Sequence, residues 1–210
     1  GEVNINAQGG ADRLVGTAKA DILDGGAGDD VIIGGAGQDH LIGGTGRDQI
    51  IGNDEGNVIE GGAGADLISG GAGDDLYLVR NPGDLVGDII SDSGGYDILR
   101  YTGTGSMMIN GLSKFKDIEE IIVKGSGLRG TDSDDTFDLN EVQLSLGDRV
   151  VDAGLGDDRI IGTEQSEKMY GGEGRDQLIS GGGEDVMYGG GGSDEIIGSE
   201  GVDFIDGGSG

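Results

Sequence analysis

The sequence predicts an all-β chain built from stacked repeats of very short strands. Three observations predict it. A nine-residue frame laid from Ala7 runs through eight lines without slippage to Leu78, and returns in phase from Ala153 to Asp206. The eighth residue of every line is apolar. Fifty of the 210 residues are glycine, against a usual share of about 7%.

The line GGAGDDVII, residues 25–33, shows how one element is built. Its glycines tolerate positive φ and let backbone carbonyls approach one another. Three extended residues follow, and the middle one faces away from its neighbours. In the first run these middle residues are Leu14, Leu23, Ile32, Leu41, Ile50, Ile59, Ile68 and Tyr77. In the second they are Ile160, Met169, Leu178, Met187, Ile196 and Ile205, and a lone line, GTDSDDTFD, stands at 130–138. One apolar residue per line is too thin a core alone, so several lines must stack into a ladder. A disordered glycine-rich spacer would have no use for a fixed apolar place. Collagen needs glycine at every third place with abundant proline, and proline occurs once here.

The net charge is −28, which excludes nucleic acid and anionic membranes as partners. Cysteine is absent, and so are disulfides and cysteine-bound zinc. There is no apolar run of about 18 residues and so no membrane span. No leader is visible ahead of GEVNIN, and the chain stops inside a repeat at GGSG. It reads as a piece of a longer protein, its second block truncated at the C-terminus.

The sixth place of each line concentrates that charge: Asp12, Asp21, Asp30, Asp39, Asp48, Asn57, Asp66 and Asp75, then Asp158, Glu167, Asp176, Asp185, Asp194 and Asp203. If two lines make one coil, Asp12, Asp30, Asp48 and Asp66 stack on one edge and Asp21, Asp39, Asn57 and Asp75 on the other. Coils about 4.8 Å apart set neighbouring carboxylates repelling by about 3.5 kcal/mol at an effective dielectric of roughly 20. A hard dication between turns reverses that sign. Carboxylates and carbonyls are the oxygen ligands calcium takes, six to eight at a time, whereas magnesium demands a tighter octahedron.

The lines read GGxGxDxUx, and in this they resemble the calcium-binding nonapeptide of the RTX (repeats-in-toxin) proteins. The resemblance covers 7–78 and 153–206, with a partial line at 130–138. It implies a parallel β-roll in two blocks, 1–78 and 130–210, with a strand-rich spacer or cap at 79–129 between them. It also implies shared ligands: carbonyls from places two and four of one turn, from one and three of the next, and both aspartates. One calcium would thus take Gly26, Gly28 and Asp30 with Gly43, Thr45 and Asp48. The next would take Gly44, Gly46 and Asp48 with Gly61, Ala63 and Asp66. In the second block Gly172, Gly174 and Asp176 would meet Gly189, Gly191 and Asp194, and Gly181, Gly183 and Asp185 would meet Gly198, Glu200 and Asp203. The same implication reaches Gly10, Gly25, Ala27, Gly34, Gly35, Ala36 and Gly37 in the first block, and Gly154, Gly156, Gly171, Glu173 and Gly182 in the second. Several calcium ions, more than five, are expected. Turns with Lys19, Asn57 and Glu167 depart from the pattern and are expected to be weak or empty, with the strong edges at Asp30–Asp48–Asp66 and Asp176–Asp194.

Residues 79–129 lose the beat and hold six of the thirteen lysines and arginines. They are expected to form short strands that continue or cap the first block, their cations balancing charge on a solvated face. A sharper reading has Lys114, Lys116 and Lys124 touching an acidic partner or polysaccharide. Ile33, Ile42, Ile51, Ile161, Ile179 and Ile197, at ninth places, should face away from the ladder as a stripe that a partner could use. His40, the one histidine, is expected to be surface decoration. No HExxH, Walker A or Gly-x-Ser-x-Gly motif occurs, and GSGLRG at 125–130 matches GxGxxG as a glycine-rich chain does by chance. The expectation is therefore no enzyme in this segment. The resemblance implies a calcium-binding module of a secreted bacterial protein that folds on extracellular calcium and supports type I secretion. The alternative is a recognition module on the same roll, an adhesin, toxin or polysaccharide-binding segment whose partner is a host receptor or glycan.

Overall fold

A computed structural model describes residues 1–110, 115–123, 127–140, 142–146 and 149–210. Twenty-four strands and no helix occur among the described residues. The first eleven are β1 Asn4–Asn6, β2 Arg13–Val15, β3 Ile22–Ala27, β4 Val31–Ile33, β5 His40–Gly46, β6 Gln49–Asn53, β7 Val58–Gly64, β8 Leu67–Gly71, β9 Leu76–Val79, β10 Ile89–Ser91 and β11 Ile98–Tyr101. Then come β12 Ser106–Met108, β13 Phe115–Lys116, β14 Glu120–Val123, β15 Gly127–Arg129, β16 Thr136–Asp138, β17 Gln143–Leu146, β18 Val150–Leu155 and β19 Arg159–Ile161. The last are β20 Lys168–Glu173, β21 Gln177–Ile179, β22 Val186–Gly191, β23 Glu195–Ile197 and β24 Phe204–Ser209. The chain forms two compact units, Gly1–Thr102 with Lys114–Glu120, and Gly103–Ser113 with Ile121–Gly210.

In the first unit, strands alternate between two parallel sheets. β1, β3, β5, β7, β9 and β11 lie side by side in one, and β2, β4, β6, β8, β10 and β13 in the other. One coil is therefore two lines. Leu23 pairs with Leu41, Ile59, Tyr77 and Leu99 in turn. Opposite them, Leu14 pairs with Ile32, Ile50, Ile68 and Ile90. These residues are all buried, and each contributes on the order of 2 kcal/mol. In-register pairing follows from the fixed eighth place, because a one-residue slip would turn every ladder residue outward.

The second unit repeats the plan with β12, β15, β18, β20, β22 and β24 in one sheet and β16, β19, β21 and β23 in the other. Phe137, Ile160 and Leu178 form one buried file, and Met107, Leu128, Val151, Met169 and Met187 the other. On the outer face Tyr170 and Tyr188 stack at 5.1 Å with planes 9° apart, and Lys168 Nζ lies 5.1 Å from the Tyr170 ring centre. The parallel β-roll expected from the repeat is thus the fold observed.

The turns explain the glycines. Gly44 has φ of 112°, and a Cβ there would collide with the Gly26 carbonyl of the preceding coil. A side chain at that place would force the coils apart.

Candidate metal centre

Each sixth-place acid is held the same way. The backbone N–H of Asp12 donates to Asp30 Oδ1 at 2.8 Å, Asp30 to Asp48 at 2.8 Å, Asp48 to Asp66 at 2.9 Å and Asp66 to Asp88 at 2.8 Å. In the second unit Asp135 donates to Asp158 at 2.7 Å, Asp158 to Asp176 at 2.9 Å and Asp176 to Asp194 at 3.0 Å. One oxygen of each accepting carboxylate is thereby used; Asp12 and Asp135, at the heads of their files, only donate along them. Oδ2 is buried without a hydrogen-bond partner in Asp12, Asp30, Asp48, Asp66, Asp88, Asp158, Asp176, Asp185 and Asp194, as is Oδ1 of Asp135. A buried unsatisfied carboxylate oxygen is costly, and a file of them has no stabilising role without a cation.

Carbonyls point at the same places. A Cβ on Gly171 would sit 2.5 Å from Asp176 Oδ2 and 2.6 Å from the Gly189 carbonyl oxygen. A Cβ on Gly43 would sit 2.5 Å from Asp48 Oδ2 and would collide with the Gly61 carbonyl. Beside Gly25 the same space is bounded by Asp30 and, at 2.9 Å, the Gly43 carbonyl. First-place glycines thus leave room where the free carboxylate oxygen and the next coil's carbonyl converge. The pairings Gly26–Gly44, Ala27–Thr45, Gly44–Gly62 and Thr45–Ala63 bring the expected turns of the first unit together. Gly154–Gly172, Gly172–Gly190, Glu173–Gly191 and the bridge Gly182–Glu200 do so in the second. Gly10 and Ala27 join through the Gly10 N–H, 2.7 Å from the Ala27 carbonyl.

The electrostatics agree. Burial pushes Asp48 up to about 6, with the charges of Asp66 and Asp30 adding and the Asp30 N–H opposing. Burial also pushes Asp88 and Asp158 up to about 7, against the N–H groups of Asp66 and Asp135.

The remaining turns fill the space with protein. Thr17 donates its N–H to Asp21 Oδ2 and its hydroxyl to Asp21 Oδ1 at 3.3 Å. Burial alone would raise Asp21, yet the N–H groups of Thr17 and Val3 and the Thr17 hydroxyl hold it below its ordinary value. Thr163 donates N–H and hydroxyl to Glu167 at 3.0 and 2.5 Å. Thr131 donates both to Asp135 Oδ2 at 2.6 and 2.9 Å. Asn53 Nδ2 reaches the Gly37 carbonyl at 2.8 Å, Asp39 Oδ2 at 3.1 Å and Asn57 Oδ1 at 3.2 Å. Lys19 is exposed and makes no ion pair among the described residues; Thr17, not Lys19, is the group on the carboxylate of that turn. Gly34, Gly35 and Ala36 line this same edge, where a Cβ on Gly34 would sit 2.5 Å from Asp39 Oδ2.

Asp88, Asp92 and Asp97 escape the nine-residue frame because the coil after Leu78 is longer: 22 residues separate Asp66 from Asp88, against 18 between Asp48 and Asp66. The threonine and asparagine plugs read in sequence only as lost glycines. Lys114 and Lys124 lie outside the described residues, as does the side chain of Lys116. The aliphatic ninth places are divided among sheets: Ile33 and Ile51 pair on one, Ile42 lies on the other, and Ile161, Ile179 and Ile197 line up in the second unit. They are half-buried, apart from Ile51 and Ile197, which are exposed. His40 is no bare surface decoration. Its Nε2 bonds Glu60 Oε1 at 2.9 Å, and Arg80 Nη2 meets the same oxygen at 2.6 Å. Burial would raise Glu60, but Arg80 and His40 hold it below its ordinary value.

Compared with known proteins, the chain matches the RTX calcium-binding nonapeptide repeat family in four copies, at residues 6–41, 42–77, 150–178 and 179–210. No curated protein matches it. No helix among the described residues is long and apolar enough to cross a membrane.

Proposed function

Since the chain belongs to the RTX calcium-binding nonapeptide repeat family, we propose that it is the calcium-dependent folding module of a secreted bacterial protein. The observation that carries this is the file of buried carboxylate oxygens without partners, which face carbonyls of the next coil at Asp30, Asp48, Asp176 and Asp194. Such a donor set of hard oxygens fits calcium. Between the turns of Asp30 and Asp48, the residues that would hold it are Gly26, Gly28, Asp30, Gly43, Thr45 and Asp48, and the corresponding residues serve at Asp48–Asp66, Asp158–Asp176, Asp176–Asp194 and Asp185–Asp203. More than five ions would bind in all. Bound calcium supplies the charge compensation that the stacked carboxylates lack.

The chain's own residues do the rest. Backbone N–H groups orient each carboxylate, glycines admit the carbonyls, and the apolar ladder sets coil spacing. Metal binding then supplies folding free energy. With an affinity suited to extracellular calcium, about 10⁻⁴–10⁻³ M, the chain would stay unfolded inside the cell and fold after type I secretion. Circular dichroism across a millimolar calcium titration tests the reading. A mostly disordered chain turning β-rich is expected, and a spectrum that calcium leaves unchanged overturns it.

A further inference from the structure

The longer coil after Leu78 conceals another repeat line. Once the shift is allowed for, DSGGYDILR at 92–100 follows the same plan. Leu99 takes the buried eighth place and pairs with Tyr77. Asp97 takes the sixth, its Oδ1 accepting the Asp75 N–H at 2.8 Å. The first place, glycine in the regular lines, is Asp92. Since first places face the space between coils, a side chain there is aimed into it.

Asp75, Asp92 and Asp97 are all buried, and each offers an oxygen within 4.8 Å of the others. Asp75 and Asp97 are 2% and 0% exposed, and each has an Oδ2 without a hydrogen-bond partner. Asp92 is fixed by the N–H groups of Ser93 and Gly94 at 2.6 and 3.2 Å on Oδ1, and by the Tyr77 hydroxyl on Oδ2. None of the three carboxylates pairs with lysine or arginine among the described residues. A Cβ on Gly70 would collide at once with Asp75 Oδ2, Asp92 Oδ2 and the Tyr77 hydroxyl oxygen. Two carboxylate oxygens and the tyrosine oxygen therefore converge beside Gly70, and Asp97 brings a third carboxylate within 4.8 Å of the other two.

We propose that this cluster is a separate metal site, in which Asp75, Asp92 and Asp97 hold one hard divalent cation more tightly than the glycine turns of the same unit. Ligand charge count sets affinity at oxygen sites, and three carboxylates converge here where a regular turn brings two. The proposal rests on the calcium reading only for the identity of the ion. It places the tightest site where the repeat motif ends.

Terbium(III), a hard-oxygen cation that emits when a nearby tyrosine is excited, is the probe, because Tyr77 bonds a carboxylate of the site. Terbium is titrated into the full chain, the Tyr77→Phe variant and the Asp92→Ala variant, with calcium-dependent folding followed in parallel by circular dichroism. The unmodified chain is expected to develop tyrosine-sensitised emission at the lowest terbium additions. Tyr77→Phe should lose that early component, and Asp92→Ala should shift it to at least about tenfold higher terbium. Early emission unchanged in Tyr77→Phe, or an unshifted midpoint in Asp92→Ala, overturns the site while leaving calcium-driven folding intact. Absence of calcium-driven folding in the unmodified chain would instead overturn the broader reading. Should Asp92→Ala fail to fold, the Tyr77→Phe comparison decides.

Discussion

At the scale of one residue, the two kinds of turn predict opposite responses. Asp48 has one oxygen bonded to the Asp30 N–H and one with no partner. Asp48→Asn keeps an acceptor for that N–H and removes a charge shared by the turns on either side. The calcium concentration at half-folding should rise by about tenfold or more, read by circular dichroism. Thr163 is different, because its hydroxyl and N–H already satisfy Glu167. Thr163→Val should cost about 1–3 kcal/mol in urea unfolding at saturating calcium. The number of ions counted by native mass spectrometry should stay the same. A lost ion in that variant would show that the threonine turn binds metal after all.

At the scale of the strand and its turn, the ladder supplies the contrast. Ile50 is fully buried, whereas Ile51, its neighbour, is 37% exposed. Ile50→Ala should lower stability by about 2–5 kcal/mol, and Ile51→Ala by well under half of that, in urea melts at fixed calcium. Equal losses would mean that the outer face carries as much packing as the inner. The ladder was legible in the sequence because an apolar eighth place and a nine-residue period leave one way to bury a single side chain per line. The acids Asp30, Asp48 and Asp176 were legible for the same reason. Asp92 and Asp97 were not, since four extra residues moved them out of phase. Nor were the plugs at Thr17, Asn53 and Thr163: a hydroxyl or amide meets its carboxylate only once the turn has closed.

For the whole molecule, the raised carboxylates set a pH dependence. Burial holds Asp48 and Asp75 near 6, and Asp88, Asp97 and Asp158 near 7, in the folded chain, against about 3.9 when unfolded. The folded form therefore binds more protons between these values. That stabilisation is full below about 4 and is lost as pH rises through 6 to 7. Glu60, held low by Arg80 and His40, opposes it only at the acidic end. Without calcium, the chain should gain β-structure as pH falls from about 7.5 to about 4.5, and calcium should bind more weakly over the same fall, because protons compete for the same oxygens. Circular dichroism of the chelator-treated chain checks the first part; a signal that is flat or declines on acidification contradicts it.

The lengthened coil has a practical side. Twenty-two residues lead from Asp66 to Asp88, yet Ile68 still faces Ile90 and Tyr77 still faces Leu99. The extra length gathers at an exposed corner, Asn81, Pro82 and Gly83, and a Cβ on Gly83 would meet no atom within 4 Å. Such a molecule keeps time by the coil and not by the residue. Its corner is a natural splice point, where a foreign peptide could ride outside the roll as cargo while the ladder beneath it keeps its register.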